Sequence, residues 1–349
     1  MKRRHVLAAL ASGLAVHALP ARAALDTAAL ERAATDIDLH SLLVWQRGTL
    51  LMEHYRSSRD KPIGAWFARE VPFGPDVLHD MRSISKSVVG LLVGQAIARG
   101  ELAPAQAVLD LFPELADLRA GPQAAITVEH LLTMSSGLAW SEEVSTYGSN
   151  ANDEQRLFFD AAPARYILDR PLVAAPGALW HYNGGLTVLL AEALQRRSGR
   201  RLRDLVRDDL FEPLGIKTWA WHPGQHGQPL PYAGLRLSSP DLLRLGLVML
   251  DGGRWQGRQV IPAAWVQATQ QARVTVGNGP AGYGYHWWCG PVMHQGRALA
   301  SCAALGNGGQ RLVIVPELDL AVVFTAGQYN SAAIGGAQAR LQRQIVASL

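Results

Sequence analysis

Lysine is rare in this chain, and one of its four copies stands three residues after a serine. Ser83 and Lys86 form this pair, whereas nearly all of the 33 basic residues are arginines. Arginine stays charged in proteins, but a desolvated lysine amine can lose its proton and act as a base. The pair therefore has the composition of a serine nucleophile with a lysine that activates it.

Composition alone makes such a pair uncommon. The chain has 18 serines and four lysines among 349 residues, so about 0.2 Ser-x-x-Lys pairs are expected by chance. A second pair, Ser58 and Lys61, is followed at once by Pro62. A polar turn of this kind does not hold two side chains on one face, and we interpret the second pair as accidental.

The segment after Lys86 is expected to position the first pair. Ser87 to Arg99 is nearly all apolar and ends before Gly100, which predicts a buried helix with a glycine at its C-terminal end. Ser83 would lie in the first turn, with Lys86 one turn later on the same face. Free N–H groups would favour a developing alkoxide, and burial would desolvate the lysine. A serine N-cap beside a snorkelling lysine is the alternative interpretation.

The first 23 residues are predicted to be a signal peptide. Lys2, Arg3 and Arg4 precede an apolar run, and residues 21–23 form a small-x-small cleavage site. We expect cleavage after Ala23 and a periplasmic or secreted protein, exported by the Sec or the twin-arginine route. Cleavage would remove four of the basic residues, so the mature chain has 29 basic and 29 acidic side chains.

The balanced charge of the mature chain excludes some function classes. It lacks the Lys/Arg cluster of a nucleic-acid-binding surface, and no later apolar run is long enough for a membrane span. Cys289 and Cys302 are the only cysteines, and they flank a predicted strand, loop and strand. In an exported protein they would either form a disulfide or remain as two buried free thiols.

Hydrophobic periodicity predicts an α+β fold. Residues 38–55 and 312–326 each read as an antiparallel hairpin, and helical patterns fill much of the chain between them. We expect an antiparallel sheet lobe with terminal helices, built from residues 24–103 and 271–349, and a mainly helical lobe over residues 104–270. The active site would lie at the seam, because ligand sites favour domain interfaces.

Two further segments could complete an acyl-transfer site. Tyr182 lies on a loop that enters a predicted helix, where its phenol could relay a proton or could simply be part of the core. Gly308 and Gly309 precede a predicted strand, where a backbone N–H can approach a ligand closely. A tight turn or bulge is the alternative for these glycines.

In combination, these motifs resemble the serine β-lactamase and penicillin-binding-protein superfamily. The resemblance rests on Ser83-x-x-Lys86, residues 127–137, Tyr182 and the glycine-rich strand, and it covers almost the whole mature chain. It is strongest to class C-like hydrolases, which include esterases and 6-aminohexanoate-dimer hydrolases. It implies a β-lactamase/transpeptidase-like fold and no cofactor or metal.

The resemblance also implies roles for particular residues. Ser83 would be acylated, Lys86 would take its proton, and Tyr182 would relay a proton to the leaving group. The N–H groups of Ser83 and Gly309 would form the oxyanion hole. Two departures concern substrate binding: Gly184 replaces the usual asparagine of the tyrosine motif, and Gly306 with Asn307 replaces the usual cation of the strand motif.

These departures favour a small-molecule ester or amide substrate over a β-lactam. Asn307, Gly308 and Gly184 are candidate substrate-binding residues. Trp140 and Tyr147 join them, since residues 140–159 show no clear period and could form a loop over the cleft or a solvated surface loop. The alternatives are a β-lactamase or D,D-peptidase, and a non-catalytic periplasmic binding module of the same fold.

Overall fold

The protein has an α+β fold, as the sequence predicts. The computed structural model describes residues 25–142, 149 and 151–349. The predicted signal peptide and Tyr147 lie outside these residues. Within them the helices are α1 (Thr27–Asp36), α2 (Ile84–Ala98), α3 (Val128–Leu132), α4 (Asp153–Phe159), α5 (Pro163–Leu168), α6 (Gly184–Ser198), α7 (Leu202–Val206), α8 (Ser239–Leu250), α9 (Ala263–Thr269) and α10 (Ala332–Ser348).

The strands form one large antiparallel sheet and several small ones. They are β1 (Leu39–Gln46), β2 (Thr49–Tyr55), β3 (Ser57–Asp60), β4 (Arg69–Pro72), β5 (His79–Asp80), β6 (Ala220–Trp221), β7 (Leu235–Leu237), β8 (Arg254–Trp255), β9 (Arg258–Gln259), β10 (Val274–Thr275), β11 (Gly282–Gly284), β12 (Trp287–His294), β13 (Arg297–Gly306), β14 (Gln310–Val315) and β15 (Leu320–Ala326). The large sheet has the order β10-β11-β12-β13-β14-β15-β1-β2. Both predicted hairpins are therefore present, and the pairing of β1 with β15 joins the two ends of the chain in one sheet.

Helices cover both faces of this sheet. Leu30 of α1 and Ile345 of α10 belong to one apolar cluster with the inward residues of β1 and β15. On the other face, α8 contacts β14, β15 and β1. This helix comes from the predicted helical lobe, so the middle of the chain packs directly onto the sheet. Its N-cap is Ser238, whose hydroxyl accepts a hydrogen bond from the Asp241 N–H.

The helix predicted after Ser83 is confirmed. α2 is buried along nearly its whole length, and Gly100 just beyond it has a left-handed φ of 73°, which glycine adopts without strain. α2 packs against α6, α9 and β13. A helix buried on all sides has no polar face, which explains its uniformly apolar sequence.

Part of the stretch from residue 140 to 159 differs from the prediction of a loop. Residues 153–159 form α4, which the Asn152 side chain caps by accepting hydrogen bonds from the N–H groups of Glu154 and Gln155. A helix of two turns is too short to show a clear hydrophobic period, so pattern analysis missed it.

Cys289 and Cys302 are register partners across β12 and β13. The structure has both as buried free thiols, which is one of the two states that the sequence left open. Burial raises the pKa of the Cys289 thiol to about 11, so the reactive thiolate is disfavoured. Directly opposed residues lie close together in an antiparallel pair, so these two cysteines are near enough in register to form a disulfide. Its formation in an oxidising compartment stays a prediction.

A stack of His40, Phe73 and His79 makes the fold sensitive to acid. The ring centroids of His40 and Phe73 are 3.9 Å apart, and those of Phe73 and His79 are 4.6 Å apart. Among the described residues, neither ring nitrogen of His79 has a hydrogen-bond partner. Burial lowers the pKa of His40 and holds that of His79 well below its usual value.

Stability should therefore fall as the pH drops from 7 to 5. A histidine whose native pKa lies well below its usual value binds its proton only in the unfolded state, so His79 costs about 1.4 kcal/mol per pH unit below roughly 6.5, and His40 adds to this loss. Chemical denaturation across this range measures the slope. His79→Phe keeps the stacking and removes one titrating group, so its slope should be visibly smaller. An equal slope in the variant would contradict this assignment.

Candidate active site

Ser83 and Lys86 are in direct contact at the N-terminus of α2. Lys86 Nζ donates hydrogen bonds to Ser83 Oγ and to the carbonyl oxygen of Tyr232, and each bond is 3.0 Å long. The lysine is 1% exposed. It therefore points inward at the serine rather than snorkelling to solvent. In the second pair, Ser58 and Lys61, the Ser58 hydroxyl donates a hydrogen bond to the Asp38 carboxylate. Its surroundings therefore differ from those of Ser83.

The residues before Ser83 form a sharp turn. Arg82 has a left-handed φ of 50°, a conformation that costs a non-glycine residue free energy and is often found at functional sites. Its guanidinium lies 3.4 Å from the Asp80 carboxylate and 4.1 Å above the Tyr329 ring. Burial disfavours the Asp80 anion, but hydrogen bonds from His222 and the Ile63 N–H outweigh burial and lower its pKa. Asp80 is thus a charged anchor for this turn.

Tyr182 reaches the pair from a second helix terminus. It precedes α6, whose N-cap is Asn183, and it is buried. Lys86 Nζ lies 4.9 Å from the centre of the Tyr182 ring. Trp180 and Trp288 pack against the same tyrosine, with ring centroids 6.1 and 6.0 Å away. The structure therefore places Lys86 beside both Ser83 and Tyr182.

Two glutamates complete the surroundings of Lys86, and the sequence analysis did not assign them a role. The carboxylates of Glu142 and Glu154 each lie 3.8 Å from Lys86 Nζ. Glu142 Oε2 accepts hydrogen bonds from the Gly184 N–H at 2.7 Å and from Trp140 Nε1 at 2.9 Å. Trp140 is buried and so supports this carboxylate. The signal in the sequence was weak, because both glutamates lie in a stretch that has no clear period.

The two carboxylates also explain why residue 184 is glycine. A Cβ atom at Gly184 would lie 2.8 Å from Glu154 Oε2 and 3.0 Å from Glu142 Oε2. Real Cβ contacts are not this short, so an asparagine could fit only if the carboxylates moved. The acidic pair therefore occupies the space that a side chain at residue 184 would enter.

The glycine-rich segment lies beside the turn that precedes Ser83. Gly306 packs against the carbonyl oxygen of Met81, and Asn307 lines the same cleft as Ser83. Gly308 packs against the Tyr329 ring, while Gly309 packs against Ile334 of α10. The tight hairpin between β13 and β14 turns Gly309 toward the terminal helix, a direction that local sequence does not reveal.

The cleft at Ser83 has a volume of about 420 Å³. It is lined by Lys61, Pro62, Ile63, Gly64, Ala65, Arg82, Ser83, Glu154, Gln155, Phe158, Leu230, Tyr232, Ala233, Asn307, Tyr329 and Asn330. Two cationic side chains line this cleft, Lys61 and Arg82, and the charge of Arg82 is shared with Asp80. The departure at Gly306 and Asn307 concerns only the cation of the strand motif, and both of these side chains come from other segments.

The antiparallel sheet, its covering helices and the Ser-x-x-Lys helix define the class of protein. This is the fold of the serine β-lactamases and penicillin-binding proteins. The sequence pattern of the Beta-lactamase family matches residues 28–347, and the chain belongs to that family.

Similar proteins include hydrolases with different substrates. The chain is 28% identical to the 6-aminohexanoate-dimer hydrolase of Paenarthrobacter ureafaciens over 312 residues, which span 84% of this chain and 73% of that protein. It is 32% identical to Esterase EstB of Burkholderia gladioli over 205 residues, which span 54% of this chain and 50% of the esterase. A penicillin-binding-protein homologue from Caulobacter crescentus has the same fold, with a TM-score of 0.72, 22% identity, and coverage of 94% of this chain and 99% of that one.

Proposed function

We propose that this protein is an exported serine hydrolase that cleaves an ester or amide bond through a Ser83 acyl-enzyme. The observation that carries the proposal is the 3.0 Å contact of Lys86 Nζ with Ser83 Oγ at a buried helix N-terminus. Such a contact lets the amine, once neutral, take the hydroxyl proton as the oxygen attacks. Export rests on the predicted signal peptide. No helix within the described residues is long and apolar enough to cross a membrane.

The reaction would proceed in two steps. Lys86 removes the proton of Ser83, Oγ attacks the substrate carbonyl carbon, and the oxyanion is stabilised by backbone N–H groups. We assign these donors to the N–H groups of Ser83 and Gly309, as the family resemblance implies, while Asn307 lines the cleft and would contact the substrate. Tyr182 relays a proton to the alcohol or amine that leaves. Water then attacks the acyl-enzyme and releases the acid and the free serine.

The substrate class is supported by the site and by the relatives. Gly184 stands where the β-lactamase motif has asparagine, two glutamates lie beside it, and Arg82 is already paired with Asp80. Both features favour a neutral ester or amide over an anionic β-lactam. The similarity to an esterase and to a dimer hydrolase agrees with this preference.

The proposal is tested by intact-mass spectrometry of the mature protein after brief exposure to a p-nitrophenyl ester. Wild type should gain one acyl group and turn over the ester, and Ser83→Ala should do neither while keeping its melting temperature. Turnover of nitrocefin or a D-Ala-D-Ala peptide in excess of ester and 6-aminohexanoate-dimer turnover would favour the β-lactamase or D,D-peptidase alternative. No adduct and no turnover with any of these substrates would favour the binding module.

A further inference from the structure

The loop that supplies one wall of the Ser83 cleft also carries two strongly exposed aromatic side chains. Residues 61–65 line the cleft, and Trp66 and Phe67, the aromatic pair, follow directly in the loop between β3 and β4. Trp66 is 87% exposed and Phe67 is 81% exposed. Single apolar residues scattered over a surface are ordinary, but two adjacent aromatic rings beside a cleft indicate a surface that another molecule covers.

The aromatic pair suits a flat, soft partner better than a bound small molecule. Small-molecule sites are concave and surround the ligand, and on this loop the lining of the cleft ends at Ala65. On α4, Phe158 lines the same cleft and the adjacent Phe159 is 58% exposed. Two separate elements therefore place exposed aromatic rings next to the cleft. Projecting rings are covered when they enter the boundary between headgroups and acyl chains of a lipid bilayer, where aromatic side chains are enriched.

The charges around the aromatic pair select the kind of lipid. Arg59, Lys61 and Arg69 are exposed, and no ion pair involves them within the part of the chain that the structure describes. Glu70 is the only exposed acidic side chain of residues 57–72, since Asp60 is buried. Three cations against one anion attract negatively charged headgroups, and basic residues beside exposed aromatic rings are typical of surfaces that bind anionic phospholipids.

We propose that residues 57–72 dock the protein on an anionic phospholipid surface, with the aromatic pair inserted at the level of the headgroups. Because the same loop forms a wall of the Ser83 cleft, docking brings the mouth of the cleft to the lipid layer. Docking does not depend on the chemistry at Ser83. Its use rests on the proposed hydrolase function, since an apolar ester dissolved in the layer would reach the nucleophile without first crossing water.

Co-sedimentation of the mature protein with vesicles tests the proposal. Wild type should bind vesicles that contain phosphatidylglycerol more tightly than vesicles of phosphatidylcholine alone. The double variant Trp66→Ser with Phe67→Ser should lose binding by about tenfold or more while keeping its melting temperature, because both side chains are exposed. Arg69→Gln should weaken binding to phosphatidylglycerol by about fivefold. Met293→Ser is the matched control, since Met293 is 54% exposed on β12, and it should bind as wild type does.

Two further measurements separate docking from catalysis. Ser83→Ala should bind vesicles as wild type does, and the double variant should keep the wild-type kcat/KM for p-nitrophenyl acetate in water. A lower kcat/KM would place the aromatic pair in the substrate site and overturn the proposal. Absent binding by wild type, unchanged binding by the double variant, or lipid-free dimers that the double variant abolishes would overturn it as well. Vesicle binding without any Ser83 adduct would instead refute the hydrolase and leave the docking surface in place.

Discussion

Lys86→Arg is expected to lower kcat for the ester by roughly 10³-fold or more while the protein stays folded. Arginine preserves the positive charge beside Glu142 and Glu154 but cannot give up its proton to act as a base. The loss would therefore identify proton transfer, and not charge, as the function of this residue. Stopped assays of ester hydrolysis and the melting temperature of the same preparation measure the two effects separately.

A matched control makes this result specific. Lys217 is an exposed lysine, so Lys217→Arg changes the same chemical group away from the cleft and should keep wild-type kcat. If Lys86→Arg retained kcat within about tenfold of wild type, a proton acceptor other than Lys86 would have to activate Ser83. If it failed to fold, Lys86→Met, which keeps the length and removes the amine, would test whether the amine is needed for turnover, without separating its charge from proton transfer.

Gly306→Ala is expected to reduce both stability and activity. The new methyl group would press against the carbonyl oxygen of Met81 and lie 3.3 Å from the Cβ atom of Arg82. Both contacts belong to the turn before Ser83, so β13 or the nucleophile must move. Overpacking of this kind costs about 1–3 kcal/mol of unfolding free energy, and a shift of the nucleophile by a fraction of an ångström lowers kcat as well.

The neighbouring strand offers the control for this substitution. A Cβ atom at Gly290 of β12 would have its nearest neighbours at 3.9 Å, which is ordinary van der Waals contact. Gly290→Ala should therefore change stability by less than about 0.5 kcal/mol and leave kcat unaltered. Urea denaturation measures the stability of both variants, and ester turnover measures their kcat. Equal effects of the two substitutions would show that the contact with Met81 does not restrict residue 306.

Much of the site could be predicted because its elements carry strong local signals. The apolar run after Lys86 predicts a buried helix, and three-residue spacing on a helix brings Ser83 and Lys86 to one face. The two hairpins follow from alternating patterns around turn residues. These signals depend on residues close in the chain, so they can be recognised without knowledge of the fold.

The sequence by itself determined the fold class and the helix that positions Ser83 and Lys86. Only the tertiary structure decided that Glu142 and Glu154 meet at Lys86 and that Asn307 joins Ser83 in one cleft. Each of these brings together segments far apart in the chain. Local periodicity carries no information on such contacts, because they depend on how helices and strands pack against one another.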